Sequence, residues 1–292
     1  MATLCWGASA TFGKAVFNGS LFAGQPMISP LVLNQTRTTF SVVLLAVFLL
    51  LRYGRRSFRI DARDLRLCLL VGALGLGASA FFYYFAIQKA TVAIAITVQY
   101  TAPVWVLLYM AVRGREQATG RRIFAVLLAL VGVALTIGLF YSGNRLNTYG
   151  VAAAMLASFC FAYYNVAAQA LVTRRDHLQV MFYALCGASV ALLAMDPPWH
   201  LTGRHYSGAQ WGFLVLFACF SMLLPFALYF TGLKYLDPTR AVVTSCLEPV
   251  FAILLAFVFL GEKLTEFQVV GIVAVLAATV IVQTQPRNAG GY

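Results

Sequence analysis

The sequence predicts an all-α membrane protein of ten transmembrane helices, arranged as two inverted five-helix repeats around a central cavity. Composition is the first reason: 61% of the 292 residues are hydrophobic and only 10% are charged, against about 25% charged residues in soluble domains. So few charges cannot cover a surface in water, and the chain therefore needs lipid as its solvent. The apolar segments are longer than barrel strands of roughly 9–11 residues, and helices satisfy their own backbone in lipid.

An internal repeat is the second reason. A proline, a glutamate and a threonine recur at one spacing of 146 residues, half of the chain: Pro103, Glu116 and Thr119 match Pro249, Glu262 and Thr265. We therefore expect a first repeat over residues 1–146 and a second over residues 147–292. Five spans in a repeat is an odd number, so the second copy has to lie upside down relative to the first. Inverted repeats are typical of secondary transporters.

Ten apolar segments supply the spans, each near the roughly 20 residues that cross a bilayer. In chain order they cover Ala2–Phe17, Pro30–Leu51, Leu65–Ile87, Thr91–Val112, Arg122–Phe140, Tyr149–Val172, Leu178–Met195, Gln210–Leu233, Thr239–Leu260 and Thr265–Gln283.

The basic residues are distributed unequally between the two sides of these spans. Loops on one side and the C-terminal tail hold 15 of the 21 lysines and arginines, and the opposite loops hold 4. Because basic residues favour the cytoplasm, we expect a multi-pass protein of the bacterial inner membrane with both termini cytoplasmic. The net charge of +12 is then topogenic. A nucleic-acid partner would need a basic face on a soluble domain, which the sequence lacks.

Motifs of catalysis and cofactor binding are missing from the sequence. The six cysteines fall inside predicted spans without metal-ligand spacing, and the three histidines lie in predicted loops without the spacing of a zinc site. No nucleophile elbow, catalytic carboxylate pair or glycine-rich phosphate loop is present. We expect neither an enzyme nor a resident cofactor or metal.

Glu248 is the strongest candidate for function, because it lies about ten residues into the ninth span, near the bilayer midplane. An acidic group there costs about 2.5–3.5 kcal/mol on insertion scales, so it has to face protein or a water-filled cavity, or be protonated. Pro249 frees the carbonyl of Ser245 beside it. The sequence leaves two interpretations open: a substrate or proton site, or a protonated glutamate that locks two helices together.

Two further charged residues lie inside predicted spans, Lys14 and Arg37. Lys14 is close enough to a span end for its side chain to reach the headgroups. Arg37, about seven residues inside the second span, has two interpretations of equal weight. Its side chain either extends to the outer headgroups or turns inward to hold the carboxylate of Glu248 or of a substrate.

Polar and aromatic residues form stripes at helical spacing on three spans. The candidate cavity residues among them are Ser79, Tyr83, Gln99, Tyr100, Ser158 and Asn165, and Tyr163 is a further candidate from the aromatic cluster of the sixth span. The alternative for the small residues is close helix packing, and for the tyrosines near helix ends an interfacial belt. Pro103, Pro225 and Pro249 are candidate hinges. Glu116 and Glu262, each three residues before a threonine, are interpreted as structural groups near helix N-termini.

Three segments resemble a known family: Leu4-Cys5-Trp6-Gly7-Ala8-Ser9, Leu247-Glu248-Pro249-Val250-Phe251-Ala252 and Leu260-Gly261-Glu262. They are similar to EamA-type members of the drug/metabolite transporter superfamily. The resemblance implies a ten-helix bundle with inverted pseudo-symmetry around a central cavity, to whose wall we add Trp6, and export of small metabolites. The segment from Tyr100 to Pro103 is similar to amino-acid exporters of that superfamily, which implies amino acids as substrates, aromatic ones among them.

We therefore expect a secondary transporter that exports amino acids by alternating access and works as a monomer in the bilayer. Two alternatives stay open at this point. One is a carrier of the same fold for a cationic drug or a nucleotide-sugar. The other is a membrane scaffold that moves no solute.

Overall fold

The computed structural model describes residues 1–17, 28, 30–90, 92–139, 147–195, 206–260 and 263–284; within the first, second and ninth predicted spans, a few side chains, that of Lys14 among them, lie outside the description. The described part of the chain is helical and contains no strand. Its α-helices are α1 (Ala2–Phe17), α2 (Pro30–Tyr53), α3 (Ala62–Leu70), α4 (Ala78–Lys89), α5 (Val92–Gln99), α6 (Ala102–Val112), α7 (Gly120–Thr136), α8 (Thr148–Val172), α9 (His177–Met195), α10 (Gly208–Ala218), α11 (Leu224–Tyr235), α12 (Pro238–Ser245), α13 (Leu247–Leu260) and α14 (Glu266–Gln283).

In the described part of the chain, eight helical stretches are long enough and apolar enough to cross a membrane. Two of them, Ala62–Lys89 and Gly208–Tyr235, are continuous rods in which a π-helical segment joins two α-helices. α1 has 16 residues and α7 has 17, short of the roughly 20 that cross a hydrocarbon core. The multi-pass helical membrane fold is confirmed, and the number ten stays a prediction.

Two interruptions recur at the spacing found in the sequence. The fourth predicted span is broken at Tyr100 and Thr101, and the ninth is broken at Cys246, 146 residues after Tyr100. In both breaks the backbone tightens to i→i−3 bonds, from Thr101 to Val98 (3.1 Å) and from Cys246 to Val243 (3.1 Å). The sequence predicts continuous spans with bending points here. A proline follows each break and cannot donate the next helical bond, so the helix restarts instead of bending.

π-helical segments form a second pair of recurring features. π1 (Val71–Gly77) lies in the third predicted span and π2 (Cys219–Leu223) in the eighth. Residues 219–223 are the 146-residue mates of 73–77, which lie within π1. Single π turns inside α-helices are frequent at functional sites. Here π1 leads directly into α4 and π2 directly into α11.

Glycines allow the closest contacts between the two halves. A Cβ at Gly72 would come 1.8 Å from the carbonyl oxygen of Ala184, and a Cβ at Gly187 would come 2.1 Å from that of Leu69. The third predicted span and α9 therefore pack with their backbones in contact. α1 packs on α13, α4 on α8, and α7 on α14, so each of these pairs joins one half to the other.

Candidate functional site

The two broken helices meet at a hydrogen bond. The Tyr100 hydroxyl donates to Glu248 Oε2 at 3.1 Å. Tyr100 lies in the first break, and Glu248 is the second residue of α13, directly after the other break. The carboxylate therefore occupies the first turn of a helix, where free backbone amides and the helix dipole favour a negative charge. The breaks thus create a site at which an acidic group is tolerated in mid-span.

Arg37 is partly buried in α2. Its Nε donates to Asn34 Oδ1 at 3.0 Å, and its charge is near enough to Glu248, Tyr83 and Tyr84 to interact with them electrostatically. Among the described residues Arg37 and Glu248 do not approach within ion-pair distance. The bond to the buried Asn34 favours the inward interpretation, which stays a prediction. A cation and an anion thus lie in one part of the fold without a direct ion pair.

Four polar side chains of this region, Glu248, Tyr100, Tyr83 and Tyr84, are partly buried, and each keeps part of its surface accessible. A solute could reach polar groups of this kind, which are not closed off by the packing of the helices. Tyr83 and Tyr84 also contact each other edge to face, with ring centroids 5.6 Å apart.

Hydroxyl and amide groups extend the site along α4, α5 and α8. Gln99 Nε2 donates to Ser79 Oγ at 3.2 Å, and the Ser79 hydroxyl donates to the Ala157 carbonyl at 3.1 Å. Thr101 and Ser158 share a hydrogen bond of 2.8 Å between their hydroxyls. The structure therefore brings Ser79, Gln99 and Ser158 to the break in the fourth predicted span.

Trp6 belongs to a neighbouring aromatic cluster. Its ring lies 5.3 Å from that of Phe226 and 5.2 Å from that of Tyr229. The Tyr229 hydroxyl donates to Asn165 Oδ1, and Asn165 Nδ2 donates to the Phe161 carbonyl at 2.7 Å. Asn165 is fully buried, so its side chain orients Tyr229 and has no accessible surface of its own.

Tyr163 is not brought to the site. Its side chain is 39% exposed and lies on the outer face of α8 with Leu156 and Phe159. The polar stripe in the sequence contains Ser158 and Asn165. Tyr163 is two residues before Asn165, and because an α-helix turns about 100° per residue, its side chain points about 200° away from that stripe. Its position agrees with the alternative of a lipid-facing or interfacial tyrosine.

The three candidate hinges lie beside the irregular segments. Pro103 is the second residue after the first break and Pro249 the third residue after the other, and Pro225 follows π2 by two residues. Ala102, the repeat mate of Glu248, is fully buried at the start of α6. The two breaks are therefore similar in backbone and different in charge.

Thr101 was missed by the sequence analysis. It accepts a hydrogen bond from Trp105 Nε1 at 3.2 Å, besides its bond to Ser158. Its position two residues before a proline in an apolar span was the available signal. Tyr229 was also missed, because nothing local distinguishes it from the other tyrosines of the chain.

A buried charge network joins the halves at the other end of α6. Arg122 forms ion pairs with Glu116 (2.6 Å) and with Asp237 (3.4 Å), and Asp237 pairs with Arg240 at 3.3 Å. All four residues are buried. Glu116 also accepts from the Thr239 backbone amide at 3.4 Å. Glu116 therefore meets the N-terminus of α12, not that of the helix it precedes, which corrects the sequence interpretation. Its mate Glu262 lies outside the described residues.

Burial raises the pKa of the Glu116 carboxyl, and the hydrogen bonds from Thr239 and the positive charge of Arg122 oppose this rise. Glu116 lies in the loop between α6 and α7, outside the spans. The positive charge of Arg122 thus offsets part of the cost of burying the Glu116 carboxylate.

Thr119 and Thr265, each three residues after one of these glutamates, stand at the start of the next helix, as the sequence predicts. Thr119 accepts from the backbone amide of Arg122, and Thr265 accepts from that of Gln268. Each is the N-cap of its helix.

Comparison with known proteins identifies the architecture. Residues 1–138 and 148–284 each match the EamA-like transporter family. The threonine/homoserine exporter RhtA of Salmonella typhimurium is 28% identical over 239 residues, 77% of this chain and 75% of RhtA. The inner membrane transporter YicL of the same species is 24% identical over 301 residues, 99% of this chain and 94% of YicL. A protein of known crystal structure superposes with a TM-score of 0.74 at 21% identity, covering 96% of each chain.

Proposed function

The chain belongs to the EamA-like transporter family, and we propose that it exports amino acids across the bacterial inner membrane by alternating access. The observation that carries this proposal is a pair of opposite charges in one part of the fold that form no ion pair with each other. Glu248 lies beside the second break and is held by Tyr100, and Arg37 lies in α2 and is held by Asn34. We propose that both side chains face one substrate cavity. A cavity with separated opposite charges fits a zwitterion.

In the proposed complex the substrate ammonium binds Glu248 and the substrate carboxylate binds Arg37. A planar guanidinium can donate two parallel hydrogen bonds to a carboxylate. Tyr83 and Tyr84 supply hydroxyls and aromatic surface between the two charges. A purely cationic drug would have to lie beside Arg37, and a dianionic nucleotide-sugar beside Glu248. The charge pair therefore favours amino acids over both alternatives from the sequence.

The proposed substrates divide by side chain into two groups. The sequence resemblance favours amino acids that include aromatic ones, and the aromatic cluster around Trp6 supports that group. RhtA is named as an exporter of threonine and homoserine, and the partly accessible Thr101 beside the break supports a hydroxylated side chain. A transport panel has to contain both groups.

Alternating access is supported by the repeated irregular features. We propose that residues 1–146 and 147–292 are inverted five-span repeats, making ten spans with both termini in the cytoplasm. The separate family matches and the 146-residue spacing of the helix breaks support this arrangement. The residues of the proposed cavity all belong to one chain, which supports a monomeric carrier.

Flux into proteoliposomes tests the proposal. Labelled threonine, homoserine and phenylalanine are offered with and without an imposed pH gradient, to the wild type and to Glu248→Gln and Arg37→Gln. We expect both variants to lose at least about tenfold in transport, since each leaves one charge of the substrate unpaired. Glu266→Gln and Arg66→Gln serve as matched controls, because both residues are exposed and neither belongs to the proposed site.

Each outcome has a defined meaning. Flux of amino acids by the wild type and the controls, lost in both variants, supports the proposal. If Glu248→Gln transports at an unchanged rate and pH profile, Glu248 is only structural and the zwitterion site is wrong. No flux of any amino acid, with flux of a cation or a nucleotide-sugar, assigns the other solute class. No flux of any solute leaves the scaffold alternative.

A further inference from the structure

An apolar groove lies between α6 and α7 on the outside of the bundle. It has a volume of about 200 Å³ and is lined by Val104, Leu107, Leu108, Ala111, Ala118, Ile123, Val126 and Leu127. Three of these, Leu108, Ile123 and Leu127, are about half exposed. From Val104 to Ala111 the groove runs about 10 Å along α6 at 1.5 Å per residue. In a membrane protein such a surface faces acyl chains.

The loop at one end of the groove is strongly basic. Residues 113–121 contain three arginines, Arg113, Arg115 and Arg121, and all three are exposed. The single acid of this loop, Glu116, is turned inward and paired with Arg122. No exposed carboxylate of the loop therefore competes with an incoming anion.

Two of these arginines are held in place by neighbouring groups. The Arg113 guanidinium lies over the Tyr109 ring, 5.8 Å from its centroid. Arg121 Nη2 donates to Thr284 Oγ1 at 3.3 Å, at the end of α14. A basic site whose side chains are already ordered loses less conformational entropy when it binds a ligand.

We propose that this groove binds one anionic glycerophospholipid, with an acyl chain along α6 and α7 and the phosphate headgroup among Arg113, Arg115 and Arg121. Basic pockets beside membrane helices bind anionic headgroups, and here the pocket continues into an acyl-sized groove. The groove is separate from the cavity of the proposed transport function. The site lies on the hairpin that supplies Glu116 and Arg122, so a bound lipid braces the element that carries the buried charge network.

Purified protein in detergent tests the site without any transport measurement. Phosphatidylglycerol is added at increasing mole fraction, with phosphatidylcholine as the zwitterionic reference, and the unfolding midpoint and the lipid retained per protein are measured. We expect phosphatidylglycerol to raise the midpoint and to be retained at about one molecule per chain. R113Q/R115Q/R121Q should bind at least about tenfold more weakly, because the arginines supply the attraction to the anionic headgroup.

Two further variants separate a specific site from general surface charge. R55Q/R56Q/R63Q removes the same charge from exposed arginines at the connection of α2 to α3 and should keep the wild-type response. Ala111→Leu fills the groove without changing charge and should reduce lipid retention. An equal loss in R55Q/R56Q/R63Q, full retention in Ala111→Leu, or no preference for phosphatidylglycerol would each overturn the proposal.

Discussion

The Tyr100 hydroxyl and the Glu248 carboxylate, 148 positions apart in the chain, lie 3.1 Å from each other. Tyr100 belongs to the break before α6 and Glu248 to the first turn of α13. The bond therefore fastens two interrupted helices to each other beside the cavity. It also fixes the direction of the carboxylate that we propose as the ammonium site.

Tyr100→Phe keeps the ring and removes this hydrogen bond. A hydrogen bond to a charged group contributes about 1.5–3 kcal/mol, so we expect KM for a transported amino acid to rise about tenfold or more. Tyr163→Phe is the matched control, because Tyr163 lies on the exposed face of α8, and its KM should equal that of the wild type. Equal KM values for both variants would exclude Tyr100 from the binding site.

Pro249→Ala restores an amide hydrogen that can bond to the Ser245 carbonyl. A proline in a helix interior costs about 3 kcal/mol or more, so its removal favours a continuous helix across the break at Cys246. We expect maximal flux in proteoliposomes to fall at least about tenfold while the variant stays folded. Pro238→Ala, at the first position of α12 where proline is well tolerated, should transport normally. Normal flux in Pro249→Ala would show that the break takes no part in the transport cycle.

Arg122→Gln removes the central cation of the buried network and leaves Glu116 and Asp237 without it. Breaking a buried ion pair by removing one partner costs about 3–5 kcal/mol. We expect a corresponding fall in the free energy of unfolding, measured in detergent without added lipid. Arg121→Gln, one residue earlier and exposed, should stay within about 0.5 kcal/mol of the wild type.

The free energy of unfolding of Arg122→Gln should depend on pH, in a direction that follows from the pKa of Glu116. Burial raises the pKa of Glu116 and Arg122 opposes this, so the loss of Arg122 raises that pKa further. A carboxyl whose pKa is raised on folding stabilises the protein below its unfolded pKa and loses this contribution as pH rises through the folded pKa. The stability deficit of Arg122→Gln relative to the wild type should therefore be smaller at pH 5 than at pH 8. A deficit that does not change with pH would contradict this account.

Gly187→Ala tests the contact between α9 and the third predicted span. The added Cβ would lie 2.1 Å from the Leu69 carbonyl oxygen, so the two backbones have to separate. Overpacking costs about 1–3 kcal/mol and occasionally more, which a lowered unfolding midpoint would reveal. Gly212→Ala is the control, since a Cβ there meets nothing within 4 Å and alanine favours a helix by about 0.5–1 kcal/mol. Equal midpoints for both variants would contradict the close packing.

Features that depend on local sequence were predicted well. The helical membrane class follows from composition, and the helix starts after Thr119 and Thr265 follow from capping chemistry. The mid-span position of Glu248 next to Pro249 could also be predicted from the sequence, because a proline changes the backbone of its own helix. The side chain of Tyr163 was predicted less well, since a tyrosine has no local signal that distinguishes a cavity wall from a lipid-facing surface.

The sequence by itself determined that this chain lies in a bilayer, that it contains a repeat at a spacing of 146 residues, and that an acid lies in mid-span. These properties follow from hydropathy and from the chemistry of neighbouring residues. Only the tertiary structure decided that Tyr100 holds Glu248 and that Arg122 pairs with Asp237. Each of these contacts joins residues more than 100 positions apart, and their partners are chosen by how the helices pack and not by the sequence around each residue.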